Sequence, residues 1–167
     1  KIKGLIQTDN GPLLLSVIKS RLWYKKTKSS DYTFIMLESD LARNFYESYL
    51  KLWLPDCKVI YLSEASRGAA LSSLAGLSLE SEFKKPVLID LADIFFEAKH
   101  IPFEEKSDDF AGMGYYFESD NPVYSYFKLD KNNNVNFTIE KKVISNCASA
   151  GVYGFLNAST YINAVSV

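Results

Sequence analysis

Asp93 closes a short apolar run, Pro86-Val-Leu-Ile-Asp-Leu-Ala-Asp93. Such a run reads as a buried parallel strand, and in open α/β sheets ligands gather outside the carboxyl ends of strands. A carboxylate placed there can hold a divalent cation against a nucleotide phosphate. It can equally cap the next turn. Asp90 lies an odd number of residues away, so on an ideal strand it faces the opposite side. Gly68 and Ala69 open a small-residue segment that runs to Ala75. A helix start of that kind offers free N–H groups to oxygen acceptors, and it also suits close helix–sheet packing. Gly151 has no Cβ, which lets a ligand approach a strand backbone or marks a bulge. Glu140-Lys141 joins a carboxylate that accepts hydroxyl hydrogen bonds to a point charge suited to phosphate. With Lys142 it is also a plain charged strand end. Tyr126 reads as pocket lining or as core. His100, the lone histidine, carries no assigned role.

The elements that must position these residues fall into two parts. In the first 95 residues strand and helix alternate, the signature of a parallel α/β sheet. Strands are expected at Leu5 to Thr8, Tyr32 to Leu37, Lys58 to Leu62 and Pro86 to Leu91. A helix opened by Pro12 carries Leu13, Leu14, Val17, Ile18 and Leu22 at helical spacing. A second, capped by Ser39 or Asp40, presents Phe45, Tyr49, Leu52 and Trp53 and ends at Pro55. A third runs from Arg67 to Ala75. Residues 96–107 form a charged loop. The remainder holds short aromatic and β-branched strands: Gly114 to Phe117, Val123 to Phe127, Val135 to Ile139 and Gly151 to Phe155. Asp130-Lys-Asn-Asn-Asn134 is a hairpin turn, and Asn157 caps a last helix running to Ala164. The expected architecture is a mixed sheet on a parallel core, one domain over residues 1–167.

Composition sets the class. The chain has 167 residues, 47% apolar, with 11 Tyr and 11 Phe, which indicates a folded protein with a real core. Net charge is −1 and the basic residues are scattered, apart from Lys25-Lys26-Thr27-Lys28, so no nucleic-acid partner is expected. No apolar stretch approaches the roughly 20 residues of a membrane span, so no membrane partner is expected either. Cys57 and Cys147 lack metal-ligand spacing and read as reduced core residues, consistent with a cytoplasmic protein.

The order of these pieces resembles the sugar-1-phosphate nucleotidylyltransferases, most of all the branch found in bacterial capsule and surface-polysaccharide gene sets. Lys3-Gly-Leu-Ile-Gln-Thr-Asp-Asn-Gly-Pro-Leu-Leu-Leu-Ser-Val-Ile18 is similar to the family's segment with a lysine nine positions before a proline. Arg67-Gly-Ala-Ala-Leu-Ser-Ser-Leu-Ala75 resembles its helix start, and Pro86 to Asp93 its metal-aspartate strand. Tyr124-Ser-Tyr126, Val135 to Lys141, and Ile144-Ser-Asn-Cys-Ala-Ser-Ala-Gly-Val-Tyr-Gly-Phe155 are similar to its acceptor-side block. The resemblance implies a Rossmann-like, GT-A-type sheet with antiparallel strands added over an acceptor site. It implies attack by a sugar phosphate, or a similar phosphorylated acceptor, on the α-phosphate of a nucleoside triphosphate, with pyrophosphate leaving. It assigns Asp93 as a Mg²⁺ ligand and Lys3 as a phosphate contact, both catalytic. Gly68 and Ala69 would bind nucleotide, and Tyr126, Glu140, Lys141 and Gly151 the acceptor.

Two departures bear on that assignment. The family's glycine-rich phosphate loop, and the strand leading into it, would precede Lys3 and are absent. A second metal aspartate would lie beyond Val167. The chain therefore reads as an N-terminally truncated enzyme domain, marginal or oligomeric alone through its open strand edges. The alternatives are a catalytically inactive nucleotide- or sugar-binding relative, a GT-A glycosyltransferase-like domain, and an α/β interaction protein without such a site.

Overall fold

A computed structural model of the chain describes residues 3–9, 11–78, 80–104 and 111–166, with the side chain of Lys3 outside that description. The first residues are less extended than the sequence suggests. Lys3–Leu5 is a 3-10 turn, and the strand β1 is only Gln7–Thr8, paired antiparallel with β2, Gly11–Pro12. The Thr8 hydroxyl closes the turn by donating to the Gly11 carbonyl at 2.6 Å.

Pro12 precedes α1, Leu13–Ser20, which buries Leu15, Val17 and Ile18. The helix does not carry the apolar face on to Leu22. Arg21 is extended (φ −72°, ψ 133°), and this re-phases the chain. Leu22 turns outward at 43% exposure, while Arg21 and Trp23 go in.

β3, Thr33–Leu37, pairs in parallel with β4, Lys58–Leu62, from Thr33↔Lys58 to Leu37↔Leu62. Between them runs a composite helix. Ser39 caps α2, Asp40–Phe45, by accepting from the Ala42 N–H at 3.1 Å. A π turn, Tyr46–Leu50, follows, and then α3, Lys51–Trp53. The wider turn shifts the inward face by a residue. Leu50 is buried and Leu52 is 74% exposed, the reverse of what an uninterrupted helix would give. Phe45, Leu50, Leu54 and Cys57 form one core cluster against Leu14, Phe34 and Met36.

α4, Ala69–Leu77, packs on the opposite face of β3. A methyl group on its Gly76 would come within 2.5 Å of the Ile35 side chain. β5, Val87–Asp90, then departs from the expected parallel core. Its observed partner is antiparallel: β9, Cys147–Phe155, from Val87↔Phe155 to Asp90↔Val152. β9 is the hub of the second sheet. It also pairs antiparallel with β6, Gly112–Glu118, and, through residues 147–148, with β7, Tyr126–Leu129. β8, Val135–Ile139, completes the sheet on β7. β7 starts three residues later than expected, because the Asn121 side chain accepts from the Val123 N–H and keeps that stretch in a turn. The Asp130 carboxylate builds the β7–β8 turn by accepting from the Asn132 and Asn134 N–H groups at 2.8 and 2.9 Å, which holds its pKa below the usual carboxylate range. α5, Ala158–Val165, is capped by the Asn157 side chain, and its Tyr161 hydroxyl donates to the Ala70 carbonyl of α4 at 2.8 Å. A second core cluster joins Trp23, Ala98 and Val152 to Leu88, Phe96 and Tyr115. Among the described residues no helix is long and apolar enough to cross a membrane.

Candidate functional site

β5 delivers its carboxyl end to a turn held by one guanidinium. Arg21 is 3% exposed. Its Nε donates to Asp90 Oδ2 at 2.8 Å, and its Nη2 donates both to Asp90 Oδ1 at 3.1 Å and to the Ile94 carbonyl at 3.0 Å. The same group stacks on Phe96, 4.1 Å from the ring centre. Residues on both sides of Asp93 are thus tied to one side chain. Asp90 Oδ1 also accepts from the Ala92 N–H at 2.9 Å, and Ala92 sits in the left-handed region at φ 54°. The short polar loop in this way turns Asp93 outward, where it is exposed and lines a cavity of about 1090 Å³.

Gly151 lies beside this turn. Its carbonyl accepts from the Leu91 N–H at 2.9 Å. Its φ of 71° is a left-handed conformation that favours glycine, and a Cβ there would meet Leu91 at 3.4 Å. Its own N–H donates to the Ser149 hydroxyl, which pairs with the Tyr153 hydroxyl at 2.8 Å. Gly151 therefore fixes the junction between the β5-paired and β7-paired parts of β9.

The third contribution comes from α4. Gly68 at its N-cap has φ 132°, with open space where a Cβ would be. No side chain caps this end, so its first N–H groups are left for outside acceptors. Ala69, the first helical residue, lines the same cavity as Asp93.

The other sequence-derived residues lie elsewhere. Tyr126 is fully buried, and its hydroxyl donates to the Asn121 carbonyl at 2.8 Å. Glu140 and Lys141 are exposed and pair with each other at 2.9 Å. That pairing holds the Glu140 carboxyl below its usual range and raises the Lys141 ammonium. None of the three lines the cavity. Lys3 contributes only backbone to the described structure. Arg21 was not anticipated. Its signal was present, since it continues the inward spacing of Val17 and Ile18. Ala92 gives no such signal, because nothing in an alanine announces a positive φ.

The donor set fits a cation shared with a ligand. Mg²⁺ commonly takes one or two carboxylates and completes its shell with water and substrate phosphates. Asp93 is an exposed carboxylate on the cavity wall, and Asp90 is bound to Arg21. Among the described residues no group of three or more His, Cys, Asp or Glu side chains makes a self-contained metal cage.

The fold is the Rossmann-like α/β fold of the sugar nucleotidyltransferases, here with a parallel pair, β3 and β4, and a separate five-stranded antiparallel sheet around β9. A nucleoside-diphosphate-sugar pyrophosphorylase from Vibrio cholerae superposes with a TM-score of 0.77 at 20% identity, over 99% of this chain and 69% of that one. HddC from Yersinia pseudotuberculosis gives a TM-score of 0.68 at 15% identity, over 96% of this chain and 69% of its own. A UDP-glucose pyrophosphorylase complexed with UDP-glucose gives 0.60 at 13% identity, over 98% and 70%. No family profile and no curated protein matches the chain. At these identities the likeness establishes the fold.

Proposed function

We propose that this chain builds the site of a nucleotidylyltransferase acting on a phosphorylated sugar or a similar acceptor. An acceptor phosphate oxygen attacks the α-phosphorus of a nucleoside triphosphate. The bond from the α-phosphorus to the bridging oxygen breaks, and pyrophosphate leaves with that oxygen. The observation that carries this reading is the convergence on one cavity of Asp93, at the carboxyl end of β5, and the uncapped N-terminus of α4 at Ala69. Phosphoryl transfer needs positioning and charge neutralisation more than covalent chemistry. Asp93 would hold Mg²⁺, which when bound neutralises charge on the phosphates. The open space at Gly68 leaves room for base and ribose. Gly151 acts through the turn, since Leu91 fills the space beside it and its carbonyl holds the Leu91 N–H just before Asp93. The product, an NDP-linked sugar, belongs to the class consumed in building surface polysaccharides.

The test is pyrophosphate release from each nucleoside triphosphate with a panel of sugar 1-phosphates and Mg²⁺. Asp93→Asn keeps the shape and removes the charge, and it is expected to lower turnover by about 100-fold or more. Unchanged turnover in that variant would sink the assignment of Asp93. Binding of an NDP-sugar without pyrophosphate release would mark a non-catalytic relative. Neither binding nor release would overturn the reading altogether.

A further inference from the structure

Ala92, immediately before Asp93, has a φ of 54°. A left-handed backbone brings an alanine Cβ too close to the following carbonyl, and glycine alone adopts it without that cost. The turn therefore has to be held from outside. Asp90 Oδ1 accepts from the Ala92 N–H at 2.9 Å, and the Gly151 carbonyl accepts from the Leu91 N–H at 2.9 Å. Beyond Asp93, the Ile94 carbonyl accepts from Arg21 Nη2 at 3.0 Å.

Two of these three ties pass through Arg21. Its Nε and Nη2 grip both oxygens of Asp90, at 2.8 and 3.1 Å, and so fix the carboxylate that holds Ala92. Its Nη2 fixes the peptide after Asp93 at the same time. The guanidinium cannot drift, because it is 3% exposed and lies 4.1 Å from the centre of the Phe96 ring. Only a rigid planar fork can serve the chain on both sides of Asp93 at once. A lysine carries one compact ammonium in its place.

Taking Asp93 as the cation ligand, a reading on which this role rests, we propose that Arg21 is its positioning residue. By binding Asp90 and the Ile94 carbonyl together, Arg21 keeps Ala92 left-handed and keeps the Asp93 carboxylate aimed at the cation. The Arg21 charge is balanced by Asp90, so the effect on the cation is geometric. With the ties loosened, Ala92 relaxes to a negative φ and the next peptide rotates, taking Asp93 with it. Groups that orient a ligating side chain typically change metal affinity by about 10–100-fold when altered. A purely structural Arg21 would lower stability and leave the cation affinity of the folded protein untouched, whatever stands at position 92.

The test uses Mn²⁺ alone as the probe, read by paramagnetic broadening of backbone amide signals in NMR spectra of the chain without nucleotide. Its result thus stands apart from the pyrophosphate assay. Mn²⁺ is expected to broaden Ala92, Asp93 and Ile94 in the wild type and not in Asp93→Asn. Arg21→Lys keeps the charge and loses the fork, and it should raise the Mn²⁺ concentration needed by about tenfold. Adding Ala92→Gly removes the steric cost of the turn and should bring the requirement back to within about threefold of wild type. Asp90→Glu, which keeps the charge but misplaces the carboxylate, should show the same loss and the same rescue, and it serves if Arg21→Lys does not fold. Leu50→Ala weakens the other core cluster and should leave Mn²⁺ binding unchanged. Wild-type affinity in folded Arg21→Lys, a loss that Ala92→Gly does not restore, an equal loss in Leu50→Ala, or failure of both charge-keeping variants to fold would overturn the role of Arg21 and leave Asp93 in place. Broadening that survives Asp93→Asn, or none in the wild type, would overturn Asp93 as the ligand and Arg21 with it.

Discussion

Arg21 connects α1, the end of β5 and the turn before Ala98 through one planar group. Its side chain is 1% exposed and that of Asp90 21%, so the pair is largely out of water. Removing one partner strands a charge, whereas removing both leaves an apolar site. Arg21→Met is expected to destabilise the protein by about 3 kcal/mol. The double variant Arg21→Met, Asp90→Leu should recover part of that loss, the remainder reflecting the Ala92 N–H that Asp90 also holds. Urea denaturation midpoints of the three proteins decide it. A double variant no better than the single one would show that Arg21 acts through packing on Phe96 and not through its charge. Residue by residue, the sequence was legible where a side chain's own chemistry is the signal. Asp93 stands past the end of its strand as expected, and Asn157 and Ser39 cap the helices assigned to them. It was opaque where a role depends on a distant partner. Nothing within seventy residues of Arg21 announces Asp90, and the positive φ of Ala92 arises from the hydrogen bonds around it.

At the scale of elements, the error in the second helix is the most instructive. Phe45, Tyr49, Leu52 and Trp53 share a face only if the helix keeps 3.6 residues per turn. The π turn Tyr46–Leu50 breaks that phase and turns Leu50 into the core. The consequence is measurable. Leu50→Ala removes a side chain that is 1% exposed and is expected to cost about 3 kcal/mol. Leu52→Ala removes one that is 74% exposed and should change stability by under about 0.5 kcal/mol. Thermal or chemical melts of the two variants separate the alternatives. Equal losses, or a larger loss at Leu52, would restore the uninterrupted helix. The strands show the same division between local and distant information. β3, β4 and β8 lie within a residue of where alternation and β-branching put them, because those signals are local. The antiparallel partner of β5 is supplied by β9, some sixty residues on, and no local pattern specifies the direction of a partner strand.

For the whole molecule, the separation of the β3–β4 pair from the β5–β9 sheet among the described residues predicts how the chain unfolds. The two core clusters share no residue. One gathers Phe45, Leu50, Leu54 and Cys57 below β3 and β4, and the other gathers Trp23, Ala98 and Val152 around β5 and β9. Between the two parts run polar links, including Arg21 to Asp90 and Tyr161 to the Ala70 carbonyl, with no ladder between β3 and β5. Cooperative melting needs buried apolar surface shared between the parts, and regions joined mainly by polar links open as separate units. The chain carries its own reporters, since Trp23 belongs to the second cluster while Trp53 packs against the first. Trp23→Phe leaves Trp53 as the fluorophore, and Trp53→Phe leaves Trp23. The two urea curves are expected to have different midpoints. Coincident midpoints would show that the links already present suffice, and that the half-buried faces of β3 and β5 do not divide the fold.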